Sequence, residues 1–256
     1  MSKLLILIWT VWSFFITVIV FFLFLPINLL LIFCLGNLGK NLFVRYTSNY
    51  IGNLLIFLFG MKKQITGFYP LHHTGPCIYI VNHKSYLDLI IVASLVPHKI
   101  KYLGKAEVFK WPFFGFLARH SGQIPVQRED KDSRNKGYDL MKQALSDGYS
   151  IILFPEGGWK NPGNKSPNPY NLEENKLLQN FRNGAFRLAM EAKVPIVPIL
   201  LLNAQERFSD ITMRVIPGLI KVHVFDLIQS NRFQDSFDLN HKCYKIMLEQ
   251  LEKYNI

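Results

Sequence analysis

The sequence predicts an α/β domain, a largely parallel central sheet flanked by helices, with an N-terminal membrane-embedded helical hairpin in front of it. Two observations carry that reading. No charged residue occurs from Leu4 to Gly39. Beyond it, short apolar β-rich runs alternate with amphipathic helical patterns, the grammar of a sheet with helices on its faces. The division falls at residue 60, giving anchoring helices over 1–60 and one further domain over 61–256, since 256 residues suit one ordinary domain plus a membrane stretch.

Leu4 to Leu25 supplies the roughly 20 apolar residues that cross a bilayer core about 30 Å thick. A signal peptide would have an apolar core of about 7–15 residues and a small-residue cleavage site, which this run does not match. Pro26 is expected to end or kink the first helix, and Ile27 to Leu35 is too short to span again, leaving a bent hairpin or an interfacial segment. Asn41 to Phe59 suits a helix lying along head groups or, equally, a buried core helix. Lys3 precedes the apolar stretch and Lys40, Arg45, Lys62 and Lys63 follow it, so the positive-inside rule puts the body in the cytoplasm, on an inner membrane.

In the body, Cys77 to Val81 reads as a strand followed by a helix over Tyr86 to Leu95. Lys131 to Asp147 reads as a helix closed by Gly148, and Ser150 to Phe154 as a strand stopped by Pro155. Trp159 to Asn175, rich in Asn, Pro, Gly and Lys, is a loop at a strand's end, where functional loops sit. A helix over Lys176 to Lys193 leads to Val194 to Leu202, apolar throughout as in a strand buried on both faces. Strands over Thr212 to Ile216 and Ile220 to Phe225 and a helix over Phe237 to Tyr254 complete the chain.

With 29 Lys+Arg against 18 Asp+Glu, a formal +11, the partners are anionic: phospholipid head groups, nucleic acid or an acidic carrier protein. Nucleic acid is disfavoured, because basic residues are not interleaved with aromatics as a groove for it needs. Three separated cysteines, Cys34, Cys77 and Cys243, build neither a disulfide framework nor a Cys-rich metal site.

Two segments carry chemistry. Asn82-His83-Lys84-Ser85-Tyr86-Leu87-Asp88 lies where a buried strand yields to a helix. On one continuous helix, residues five apart differ by about 140° and about 7.5 Å along the axis, so a His–Asp hydrogen bond would be awkward. If His83 instead occupies the turn and Ser85 caps the helix, Asp88 falls in the first helical turn and can reach back to the imidazole. The carboxylate would then fix the tautomer and leave the other ring nitrogen as a base. Ser85-x-x-Asp88 equally has the form of a capping box. The second segment is Phe154-Pro155-Glu156-Gly157-Gly158; it is a Gly-rich turn in isolation, but Glu156 projects beside His83 if their strands are neighbours.

Together these segments are similar to the signature of the 1-acylglycerol-3-phosphate acyltransferases and related glycerolipid acyltransferases. Blocks between and after them match in order: Gly104-Lys105-Ala106-Glu107, Pro112-Phe113-Phe114-Gly115, Gly122 to Arg128, and Val194 to Pro198. The resemblance covers roughly Ile78 to Asn203 and implies that His83 and Asp88 activate a glycerol hydroxyl for attack on an acyl thioester of acyl carrier protein or coenzyme A. It implies no covalent acyl-enzyme, no metal and no cofactor beyond that thioester substrate, and a membrane setting with a lysophospholipid acceptor. Lys105 and Arg128 match the phosphate-contacting positions, and Glu156 and Gly157 complete the substrate-binding set. Where the family continues Thr-Arg, this chain has Gly158 and Trp159, leaving Lys160 or Arg182 as stand-ins. The leading expectation is acylation of the sn-2 hydroxyl of 1-acylglycerol 3-phosphate to phosphatidate. The runner-up keeps the chemistry with another lysolipid, a lysophospholipid or lyso-aminolipid. A thioesterase and a nonenzymatic basic membrane binder are the rivals from other classes.

Overall fold

The computed structural model describes residues 2–67, 75–96, 99–112, 114–127, 129–157 and 177–255. Helix α1 (Lys3–Cys34) is one continuous helix of 32 residues, about 48 Å long, capped by the Ser2 hydroxyl. It runs straight through the expected break. Pro26 removes one backbone donor from a long apolar helix, a loss that such helices tolerate when neighbours pack against them. The chain reverses at Gly36, which takes φ +54°, and α2 (Gly36–Tyr46) folds back so that the Tyr46 ring meets Phe24 edge-on at 5.8 Å. Close approach in this hairpin depends on Gly39, where a Cβ would overlap the Leu31 carbonyl.

The buried side of α1 sets polar residues among apolar ones, Val20 and Ile32 included, and its outer side is apolar. Thr10, Ser13 and Asn28 lie on its buried side, while Val11, Phe15, Val18, Phe22, Leu23 and Ile27 are exposed. Both ends of the helix rest on the body. The Trp9 indole donates to the Phe59 carbonyl at 2.9 Å, and the Phe33 ring packs on Phe116 at 5.9 Å.

A wide helical turn over Thr47–Ile51 leads without a break into α3 (Gly52–Leu58), so the predicted Asn41–Phe59 stretch is helical with a widened turn inside it, and Ile51, Leu55 and Ile56 pack into the core. Then come β1 (Met61–Gly67), β2 (Ile78–Val81), α4 (Leu87–Ala93), β3 (Ile100–Lys105), α5 (Phe114–His120), β4 (Ile124–Val126), α6 (Lys131–Ser146) and β5 (Ser150–Leu153). After them follow α7 (Gly184–Glu191), β6 (Ile196–Leu201), α8 (Ala204–Arg207), β7 (Phe208–Ser209), β8 (Arg214–Val215), β9 (Gly218–Val224) and α9 (Ser236–Asn255).

Seven strands form one sheet in the order β1-β9-β6-β2-β5-β3-β4. The five from β6 to β4 are parallel, and only the β6–β9 pairing is antiparallel. Period-two alternation divides the core between its faces. Tyr79 and Val81 pack toward α1, α3 and α4, whereas Ile78 and Ile80 pack toward α6, α7 and α9. The predicted largely parallel sheet flanked by helices is thus the observed architecture.

Three details differ from the sequence reading. The helix expected over Lys176–Lys193 starts at Gly184, because the Gln179 and Arg182 N–H groups are spent on Glu156 and the Pro155 carbonyl, while Lys176 lies outside the described residues. Only Arg214–Val215 of the expected Thr212–Ile216 strand pairs, and it pairs with β7 outside the main sheet. Lys63, counted above among the basic residues that follow the apolar stretch, turns inward, donating to Asn53 Oδ1 at 2.7 Å and to the Ser94 hydroxyl at 2.9 Å, and burial pulls its pKa down to about 8. The loop expected over Trp159–Asn175 lies outside the described residues.

Replacing Gly39 with Val is expected to force α2 off α1 and to lower stability by about 1–3 kcal/mol, the usual cost of overpacking. Thermal unfolding in detergent measures it.

Candidate active site

The site stands at the C-terminal ends of β2 and β5, which are adjacent, with Ile80 opposite Leu153. His83 and Glu156 each lie three residues past that pair, so the two predicted segments leave the sheet side by side. Asn82 sets the start of the turn. Its amide donates to the Leu201 carbonyl at 3.0 Å and accepts the Leu201 N–H at 2.7 Å, tying the end of β2 to β6.

His83 Nδ1 lies 2.9 Å from Asp88 Oδ2. The same oxygen accepts the N–H groups of Lys84 and Ser85, each at 2.8 Å, and Asp88 is 1% exposed. An ionised carboxylate only accepts, so Nδ1 is the ring nitrogen that donates to Asp88, and Nε2 is the nitrogen turned away from it. The capping reading and the dyad reading turn out to be one geometry. Asp88 sits in the first turn of α4 and takes the Ser85 N–H, while the Ser85 hydroxyl accepts the Leu87 N–H at 3.2 Å. The imidazole is also stacked on the Phe154 ring, centroids 4.0 Å apart and planes 23° apart, which sets the direction of Nε2.

Glu156 faces the protein. Oε1 accepts the His83 N–H at 2.8 Å and Oε2 the Gln179 N–H at 3.0 Å, with the residue 5% exposed. Burial raises its pKa, and the two backbone donors partly oppose that. Its carboxylate thus holds the catalytic turn against the segment leading into α7. Gly157 follows at φ +79°, and a Cβ there would collide with the Arg182 guanidinium, which lies directly over it. The Arg182 N–H bonds the Pro155 carbonyl at 2.8 Å, so this arginine is fixed at the site by its backbone. Lys105 ends β3, two strands from His83, half exposed and 3.6 Å from Glu107. Arg128, Gly158, Trp159 and Lys160 lie outside the described residues.

The structure therefore brings His83, Asp88, Glu156, Gly157 and Arg182 together at one edge of the sheet and puts Lys105 along the same edge. Sequence reasoning assigned no role to Asn82 or Phe154. Asn82 adjoins His83 and was quoted with it, yet its partner Leu201 lies in a strand 119 residues away. Phe154 heads the second segment and ends its strand, but nothing local shows that its ring meets His83. Among the described residues no three His, Cys, Asp or Glu side chains gather as a metal site would require. What remains is a tautomer-locked imidazole able to take a proton from a hydroxyl, with cations nearby for an anionic substrate.

Residues 62–202 match the family described as Acyltransferase. Among curated relatives, a chloroplastic 1-acyl-sn-glycerol-3-phosphate acyltransferase of Brassica napus is 31% identical over 143 residues, 56% of this chain but only 38% of the relative's length. A lyso-ornithine lipid O-acyltransferase of Rhizobium meliloti is 28% identical over 113 residues, 44% of this chain and 37% of its own. The chain thus spans well under half the length of these two relatives. Among solved structures, the 1-acyl-sn-glycerophosphate acyltransferase PlsC of Thermotoga maritima superposes with a TM-score of 0.80 at 16% identity, covering 100% of this chain and 98% of that one. That likeness establishes a shared fold.

Glu156→Gln puts an amide donor against one of two backbone N–H groups, and the expected cost at neutral pH is about 1–3 kcal/mol. Because burial raises the folded-state pKa of Glu156, the folded protein binds the proton before the unfolded chain does as pH falls. The native protein should therefore gain stability relative to the Gln variant on mild acidification, by at most about 1.4 kcal/mol per pH unit. Urea unfolding of both proteins from neutral to mildly acidic pH reads the difference.

Proposed function

The chain belongs to the acyltransferase family, and from that premise we propose that it moves a fatty acyl group from an acyl thioester to the sn-2 hydroxyl of 1-acylglycerol 3-phosphate, forming phosphatidate. The donor is acyl carrier protein or coenzyme A carrying the acyl chain, so the reaction needs no resident cofactor. The observation that carries the proposal is the 2.9 Å His83–Asp88 contact inside a turn whose own N–H groups also point at Asp88. His83 Nε2 takes the acceptor's hydroxyl proton as its oxygen attacks the thioester carbonyl. The tetrahedral adduct collapses by breaking the carbon–sulfur bond, and the imidazolium returns the proton to the leaving thiolate. Asp88 stabilises the imidazolium between these transfers.

Lys105, Arg128 and Arg182 are the cations proposed to hold the acceptor's phosphate, with Arg182 standing where the missing family arginine would be needed. The setting is the cytoplasmic face of an inner membrane. The outward apolar face of α1 and the basic residues that follow it support that reading. A second reading, a lyso-aminolipid or another lysophospholipid as acceptor, is favoured by Gly158 and Trp159 and by the likeness to the Rhizobium meliloti protein.

Purified protein given one labelled acyl thioester and a panel of lysolipids distinguishes the readings. Acylated 1-acylglycerol 3-phosphate supports the first, another acylated lysolipid the second, and free acid alone a thioesterase. His83→Ala is expected to lower turnover about 10²- to 10⁴-fold while leaving membrane association intact, and turnover near the native rate would reject the base assignment. Arg182→Ala is expected to raise KM for a phosphate-bearing acceptor about tenfold or more, the scale of one charge-assisted hydrogen bond. An unchanged KM would remove Arg182 from the phosphate site.

A further inference from the structure

The catalytic turn is held from a third side by a hairpin that belongs to none of the matched sequence blocks. Strands β7 and β8 pair with each other, Phe208 opposite Val215 and Ser209 opposite Arg214. The hairpin's base is closed by the Ile216 N–H on the Arg207 carbonyl at 2.8 Å and by the Arg207 guanidinium on the Pro217 carbonyl at 3.0 Å. One side of it grips the turn. The Ser85 hydroxyl donates to the Phe208 carbonyl at 2.9 Å, and the Tyr86 N–H donates to Asp210 Oδ1 at 3.2 Å. Its other side is gripped by α1, where Thr10 Oγ1 accepts the Val215 N–H at 3.1 Å and the Phe14 ring stands edge-on to Phe208 at 6.3 Å.

We infer that the Phe208–Val215 hairpin couples the seating of α1 to the alignment of His83 and Asp88, with Asp210 as a positioning residue acting through Tyr86. Ser85 and Tyr86 lie between the two members of the dyad, and the Ser85 N–H is one of the three donors on Asp88 Oδ2. A shift of Ser85 or Tyr86 therefore changes how the carboxylate meets the imidazole. The Phe208 carbonyl and the Asp210 carboxylate hold those two residues, and Phe208 in turn lies directly under α1. A displacement of the helix reaches the dyad through one layer of side chains, and the exposed apolar face of α1 makes its position sensitive to apolar surroundings.

The inference rests on His83 as the base, so its test includes a readout independent of turnover. Asp210→Ala is expected to lower kcat about 10- to 100-fold with KM for donor and acceptor little changed, since a misplacement of about 1 Å costs on that scale. Asp210→Asn, which keeps a carbonyl acceptor for Tyr86, should restore most of the rate. Phe14→Ala should also lower kcat, and the double variant with Asp210→Ala should fall by less than the product of the single effects. Hydrogen exchange at the Lys84 and Ser85 amides should quicken in Phe14→Ala while the β2 and β5 amides stay protected, which separates coupling from misfolding. Unchanged exchange at Lys84 and Ser85 with unchanged kcat in Phe14→Ala, or single effects that multiply, would overturn the coupling. Turnover surviving in His83→Ala would instead reject the base assignment and leave the exchange measurement to decide the coupling.

Discussion

One oxygen atom organises this site. Asp88 Oδ2 receives the His83 ring and the backbone N–H groups of Lys84 and Ser85, all within 2.9 Å. That convergence solves the geometric problem posed by residues five apart, which no single helix could bring together. The turn between β2 and α4 wraps around its own carboxylate, so the charge that stabilises an imidazolium also closes the loop that carries the imidazole. A buried carboxylate is costly unless it is satisfied, and here satisfying it brings the His83 ring against Asp88.

Around this knot the fold supplies separate fixings. Asn82 locks the strand end to β6, Glu156 ties the His83 backbone to Gln179, Phe154 stacks on the ring, and the Phe208 carbonyl holds Ser85. Asn82, the Phe154–Glu156 segment and Phe208 come from different parts of the chain, and the first two act through the central strands being neighbours. The parallel register of β2 and β5 places two short motifs at one height. Glu156 holds the His83 turn from behind, through two backbone donors, and is almost wholly withdrawn from solvent.

Much of this was legible in the sequence where physical signals are local. The strands at Ile78–Val81 and Ile196–Leu201 are buried on both faces and read as continuous apolar runs. The dyad was legible because both members sit within one turn. The signal failed where long-range contacts decide. Met61–Gly67 contains two lysines and a glutamine and still forms a strand, because β9 offers it an edge. The helix expected from Lys176 begins at Gly184 because Glu156 and Pro155 claim its first donors. Asp210 carries no motif and reaches Tyr86 across 124 residues. Pro26 is the opposite case, a strong local signal that does not end the apolar helix packed against α2.

The central proposal is that Asp88 holds the His83 imidazole as the Nδ1–H tautomer, with Nε2 as the basic nitrogen. ¹⁵N NMR of the ring-labelled protein at neutral pH, with His83 assigned by its absence in a His83 variant, tests this directly. The account predicts a protonated Nδ1 coupled to a bare, imine-type Nε2. A proton found on Nε2, or a ring exchanging freely between tautomers, would contradict it.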